Sequence, residues 1–236
     1  MISFGENKSL LILIDPDKVT EHDLTRLVSY DDLPFCWLVG GSLLMESKFE
    51  AVVQFLKKHS KNPVVIFPGN NIQVSKNADA ILFLSLLSGR NPEYLIGQHV
   101  IAAPKIKASG IDTIPTGYLL VDGGAETSVS YISNTKPIPR DKPEIAVATA
   151  MAAELLGKKL LYLEAGSGAK LTIPSSTVKQ IKSAISIPLI VGGGIRDLDT
   201  IEKTFAAGAD HVVIGNHIEK NPAFLEDLRL AKFMTV

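Results

Sequence analysis

Short runs of Val, Ile and Leu return roughly every 25 to 30 residues along the chain, and each closes on Gly, Pro or Asp. Runs this short, with no polar alternation, suit strands buried on both faces of a parallel sheet. Eight can be read: Leu10–Ile14, Cys36–Val39, Val64–Phe67, Ala80–Leu86, Gly117–Val121, Leu160–Glu164, Leu189–Val191 and His211–Ile214. Between most of them lie segments of helical period, such as Phe49, Val52, Val53 and Leu56, or Leu198, Ile201 and Phe205. Eight strand–helix units predict a (β/α)₈ barrel. An open doubly wound sheet is the alternative, although no Gly-x-Gly-x-x-Gly follows the first run. The length of 236 residues fits one such barrel as a single catalytic domain over 1–236. Gly69–Asp79 is too short and polar for a good helix, so an irregular segment is expected in place of the third helix. Asp122–Lys142 reads as a long loop.

Charged residues make up 21% of the chain and the formal net charge is −1, which argues against a nucleic-acid partner or a polybasic membrane surface. Cys36 is the only cysteine, which excludes an internal disulfide and a cysteine-based zinc site and fits a reducing cytoplasm. Met1 to Glu6 lack the basic start of an export signal, and no apolar run reaches the ~18 residues of a membrane span. Any lipid contact is therefore expected to be peripheral.

In a barrel, chemistry is sought at the carboxyl ends of the strands. Gly192-Gly193-Gly194-Ile195-Arg196 follows the seventh run and Gly215-Asn216 the eighth. Free backbone amides in these two loops would bind a phosphate; the plainer reading is that the glycines only permit tight turns. Asp15, in Ile14-Asp15-Pro16-Asp17-Lys18, stands at the end of the first run as a candidate Mg²⁺ ligand or as a partner of Lys18. Mg²⁺ takes one or two carboxylates plus phosphate oxygens, so a sparse acidic site suits a diphosphate. Ser42, in Val39-Gly40-Gly41-Ser42, could join the metal or a phosphate. Strand alternation aims Tyr162 and Glu164 the same way, into the barrel or its mouth. A partly desolvated Glu164 would be a general base for a hydroxyl; otherwise it is a structural, paired carboxylate. The five histidines lack metal-ligand spacing, and neither Gly-Ser site forms a nucleophile elbow.

Seven segments in order resemble the geranylgeranylglyceryl phosphate synthase family. They are Ile14–Lys18, Val39–Ser42, Ser88-Gly89-Arg90-Asn91-Pro92, Ile114-Pro115-Thr116-Gly117-Tyr118, Tyr162–Gly168, Gly192–Arg196 and Ile214–Asn216. The resemblance spans nearly the whole chain and implies Mg²⁺-dependent transfer of a polyprenyl group from its diphosphate to the 3-hydroxyl of sn-glycerol 1-phosphate. It would give Asp15 and Ser42 to Mg²⁺. Tyr162, Leu163, Glu164, Ala165, Gly166, Ser167 and Gly168 would line the glycerol phosphate site, with Glu164 as base, while Gly193, Gly194, Gly215 and Asn216 would grip the phosphate. Asp15-Pro16-Asp17-Lys18 and Ala165 after Glu164 look like the larger archaeal and Bacteroidetes-type group, which favours a geranylgeranyl donor. Val121–Thr127 departs from the Val-Glu-Pro-Gly-Gly pattern of many archaeal members, so no role is carried over to it. The resemblance also implies a homo-oligomer, dimer or hexamer. For the prenyl chain, Gly69–Asp79 and Leu84–Tyr94 are the expected groove walls. A phosphosugar isomerase or cyclase barrel, and a non-catalytic phosphate-binding barrel, are the competing functions.

Overall fold

In the computed structural model, which describes residues 4, 5 and 8–231, eight parallel strands close into a barrel. Met1–Ser3, Glu6 and Asn7, on which the reading of the N-terminus partly rests, lie outside the described residues, as do 232–236. The strands are β1 (Ser9–Ile14), β2 (Phe35–Val39), β3 (Val64–Ile66), β4 (Ala80–Leu86), β5 (Asp112–Leu120), β6 (Leu160–Glu164), β7 (Leu189–Gly192) and β8 (His211–Ile214). Closure comes from β8 pairing with β1 in a register running from Ser9↔His211 to Ile12↔Ile214.

Every expected run is a strand, but β5 begins at Asp112, five residues ahead of the expected Gly117. Asp112 to Thr116 pair with Ala80 to Leu84 of β4. Pro115 has no N–H to give, yet its carbonyl accepts the amide of Lys159 at 2.8 Å. Asp112 and Thr113 are exposed, so hydrophobicity does not mark them as strand.

Nine helices are present among the described residues: α1 (Glu21–Val28), α2 (Phe49–His59), α3 (Gln98–Ser109, entered through a π-helical turn at Glu93–Gly97), α4 (Ser128–Ser133), α5 (Pro143–Leu155), α6 (Ser175–Ala184), α7 (Leu198–Ala206), α8 (Asn216–Lys220) and α9 (Phe224–Leu230). The periodic residues do what their spacing predicts, since α2 buries Val52, Val53 and Leu56 and α7 buries Ile201 and Phe205. No helix joins β3 to β4. Gly69–Asp79 is irregular, pinned by buried Gln73, whose Nε2 donates to the Gly41 carbonyl (2.8 Å) and whose Oε1 accepts the amides of Gly69 (3.2 Å) and Gly41 (3.3 Å).

The expected loop Asp122–Lys142 needs correction, because it contains α4. The Thr127 side chain accepts the Ser130 amide and the Ser130 hydroxyl accepts the Thr127 amide, a reciprocal cap that starts a helix in a polar stretch. Hydrophobic period carries no trace of such a short element.

Alternation along the strands divides the core into two layers. Leu11, Leu38, Val65, Leu82, Tyr118, Tyr162, Ile190 and Val213 fill the barrel. Their neighbours Leu10, Ile12, Trp37, Val39, Leu119, Leu163, Val191 and Val212 pack under the helices. At the bottom, His211 Nδ1 shares a 2.7 Å hydrogen bond with the Ser9 hydroxyl, and the Phe4 ring meets the imidazole edge-on. Burial pushes the imidazole down to about 4. No helix of the described residues is long and apolar enough to cross a membrane.

Candidate active site

The carboxyl ends of β1, β2, β6, β7 and β8 surround one open cavity at the barrel mouth. Asp15, Ser42, Glu164, Gly166, Ser167, Gly168, Gly193, Gly194, Gly215 and Asn216, all expected site residues, line it together. Three other expected residues are placed differently. Tyr162 is fully buried beneath the mouth. Leu163 and Ala165 turn their side chains to the outer layer, because positions flanking an inward Glu164 must face the helices.

Glu164 closes the floor of the mouth and is 6% exposed. Burial, its largest influence, pushes the carboxyl up to about 7, although the Gly166 amide donating to Oε1 at 2.7 Å and the neighbouring Tyr162 hydroxyl favour the charged form. No cation pairs with Glu164 among the described residues, which disposes of the structural ion-pair reading. A Cβ on Gly192 would stand 2.7 Å from the Tyr162 hydroxyl and 2.9 Å from Glu164 Oε2. The missing side chain makes room for both groups.

Glu164 and His211 pull the stability of the barrel in opposite directions over nearly the same pH range. The carboxyl is raised in the fold, so its contribution is full below its ordinary value of 4.5 and lost as pH rises through about 7. The imidazole is lowered, so its contribution is full above 6.5 and lost as pH falls through about 4. Each shift corresponds to about 3 kcal/mol at most, so the two largely offset between pH 5 and 6.5. Denaturant titration should show Glu164→Gln more stable than wild type at pH 8 and little different at pH 4.5. His211→Gln should reverse the order, losing the acid-side decline. Parallel pH profiles for both variants and wild type would refute this assignment.

The glycine loops meet above Glu164. Among the described residues the amides of Gly168, Gly193, Gly194 and Gly215 donate to no backbone acceptor, although they cluster at one rim of the cavity. Asn216 Nδ2 donates to the Ser167 hydroxyl at 3.1 Å, tying the loop after β6 to the loop after β8. Arg196, whose guanidinium donates to the Ala169 carbonyl at 2.8 Å, adds a positive charge to the same rim. Unpaired amides beside a fixed cation are an arrangement able to hold an oxyanion.

Across the mouth, Asp15 Oδ2 is ion-paired with Lys18 at 2.7 Å, as the plainer sequence reading expected, and its backbone amide donates to Glu219 Oε1 at 2.9 Å. Glu219, on α8, is a second carboxylate in the cavity, and burial leads the influences that raise its carboxyl. Sequence reading missed it. The signal was its place one helical turn after Asn216, which returns it to the mouth. Arg196 was visible inside the glycine motif but drew no role.

A second cavity, apolar, opens from the mouth and runs between β4, α3 and α4. Its walls include Gly69, Asn70, Asn71 and Val74 from the irregular segment, and Leu84, Leu86 and Tyr94, so the two segments expected as groove walls line one apolar cavity. Gly41, Ser42, Phe67, Tyr118 and Val129 line both cavities.

The profile of the PcrB family matches residues 4–235. This chain belongs to the PcrB family. The geranylgeranylglyceryl phosphate synthase of Chitinophaga pinensis is 50% identical to this PcrB-family chain over 224 residues, covering 94% of it and 88% of the relative. The protein of the same name from the archaeon Korarchaeum cryptofilum is 40% identical over 233 residues, covering 97% and 94%. Among solved structures, (S)-3-O-geranylgeranylglyceryl phosphate synthase of Thermoplasma acidophilum, in complex with sn-glycerol-1-phosphate, matches with a TM-score of 0.88 and 34% identity over 94% of this chain and 90% of that one. The resemblance read from seven motifs and the PcrB-family barrel agree.

Proposed function

We propose that the chain is a prenyltransferase that joins a geranylgeranyl group, from its diphosphate, to the 3-hydroxyl of sn-glycerol 1-phosphate. The observation that carries this reading is the junction of two unlike cavities, a polar mouth holding a base and free amides, and an apolar groove. A phosphate-bearing alcohol suits the first and a polyprenyl chain the second, so hydroxyl and allylic carbon meet where the cavities join. Gly168, Gly193, Gly194 and Gly215 bind the phosphate through their amides, with Arg196 beside them. Glu164, poised near neutral pH, takes the hydroxyl proton as the oxygen attacks.

Asp15, Glu219 and Ser42 offer two carboxylates and a hydroxyl on one side of the mouth, a donor set that fits Mg²⁺ with a diphosphate completing its shell. When bound, Mg²⁺ would supply positive charge to offset the negative charge that gathers on the departing diphosphate. Lys18 is half exposed and able to swing from Asp15 towards the same diphosphate. Asp15→Asn should raise the Mg²⁺ concentration for half-maximal turnover by about tenfold and leave glycerol phosphate affinity within about twofold. An unchanged Mg²⁺ titration would remove Asp15 from the metal.

Exposed Ile145, Met151 and Leu155 on α5 support a homo-oligomer, dimer or hexamer, and exposed Leu43, Met45 and Ile72 near the groove support a peripheral membrane contact. Buried, unpaired Cys36 fits a cytoplasmic enzyme. The decisive assay supplies Mg²⁺, labelled sn-glycerol 1-phosphate and farnesyl, geranylgeranyl and heptaprenyl diphosphates. An organic-extractable product is expected, most abundant with the geranylgeranyl donor. No such product from any donor would end the prenyltransferase reading.

A further inference from the structure

Aromatic rings are concentrated on one side of the barrel interior. Leu13, Leu38, Leu84, Leu120, Ile190 and Val213 present aliphatic carbon towards the upper barrel. Phe67 after β3, Tyr118 on β5 and Tyr162 on β6 present rings. Their centroids stand 5.0 Å apart for Phe67 and Tyr162 (planes 16° apart), 5.3 Å for Tyr118 and Tyr162 (23°), and 6.1 Å for Phe67 and Tyr118. Phe67 and Tyr118 are also the two rings shared by the polar mouth and the apolar groove. An aliphatic side chain at either place would pack a prenyl tail about as well.

Rings add something aliphatic carbon lacks, a negative face that attracts a cation, worth most where water is excluded. We propose that Phe67 and Tyr118 are catalytic residues that hold the positive charge developing on the allylic carbon during transfer. The inference rests on the prenyl-transfer reading above. As the C1–O bond to diphosphate breaks, its electron pair leaves with the diphosphate and positive charge spreads over the allylic carbons. The glycerol oxygen then forms the new C–O bond, and its proton passes to Glu164. The charge exists only near the transition state, so attraction to the rings lowers the barrier without tightening donor binding. Tyr162 is fully buried and stacks on both rings, which makes it a positioning residue for their planes.

The test keeps ring shape and changes ring charge. Phe67 is replaced by mono-, di- and trifluorophenylalanine in the full chain, and single-turnover rates are measured with geranylgeranyl diphosphate, sn-glycerol 1-phosphate and Mg²⁺. Donor affinity is read separately with a non-reactive thiodiphosphate analogue. The rate should fall stepwise, by about tenfold across the series, with affinity constant within about twofold. Tyr118→Leu should turn over about tenfold more slowly than Tyr118→Phe, which keeps the ring, with donor affinity equal in the two variants. A flat fluorination series with an active wild type would overturn the inference and leave the function standing. So would a rate loss matched by equal loss of donor affinity, or Tyr118→Leu turning over like Tyr118→Phe. A wild type that makes no ether would overturn the functional reading and this inference with it.

Discussion

Replacing Glu164 with Gln is expected to lower turnover by about 10² to 10⁴-fold while sn-glycerol 1-phosphate continues to bind. The amide keeps the size of the carboxylate and can still accept the Gly166 amide, so the loop geometry persists. What it cannot do is take a proton. A base with its carboxyl near 7 is half charged at neutral pH, at modest energetic cost, and becomes fully competent above that value. Wild-type kcat/KM should therefore rise with pH through about 7 and level off, whereas the residual rate of Glu164→Gln should show no such limb. Isothermal titration with glycerol phosphate, beside a pH–rate profile, checks both halves. A variant that turns over normally, or one that no longer binds the alcohol, would displace Glu164 from the role of base.

Gly193→Ala is expected to abolish glycerol phosphate binding and to destabilise the barrel. Gly193 has φ +91°, a conformation costing an L-residue about 1–2 kcal/mol, and its Cβ would collide with Glu164 Oε1 while standing 2.7 Å from the Ala165 amide nitrogen. Neither neighbour yields easily, since Ala165 donates to the Gly192 carbonyl and Glu164 is fully packed. The loop must move, and its free amide moves with it. Thermal unfolding should fall by several degrees, at about 2–4 °C per kcal/mol for a chain of this size, and added glycerol phosphate should no longer raise it. Wild-type ligand stabilisation in the variant would show that the loop after β7 does not bind the phosphate.

Legibility differed sharply from element to element. The runs ending at Ile14, Val39 and Glu164 were readable because a strand buried on both faces needs continuous apolar residues, a local property. The first half of β5 was not, because Asp112 and Thr113 are held by pairing with β4 rather than by burial. Helix α4 was missed because its start depends on two side-chain caps and not on an apolar stripe. Within the site, Asp15, Ser42 and the glycine loops stood out as unusual strand ends, whereas Glu219 looked like an ordinary helical carboxylate. Only folding brings its Oε1 within 2.9 Å of the Asp15 amide, across 204 positions of chain.

The sequence by itself determined the alternation of strand and helix, the strand ends that carry chemistry and the inward direction of Glu164, all of which follow from short-range periodicity. Tertiary structure alone decided that Glu164 has no cationic partner among the described residues, that Tyr162 lies beneath the mouth while Leu163 faces away, and that polar mouth and apolar groove meet at Phe67 and Tyr118. Those properties arise between loops far apart in the chain, where closure of the barrel sets desolvation and distance, and no local pattern encodes either.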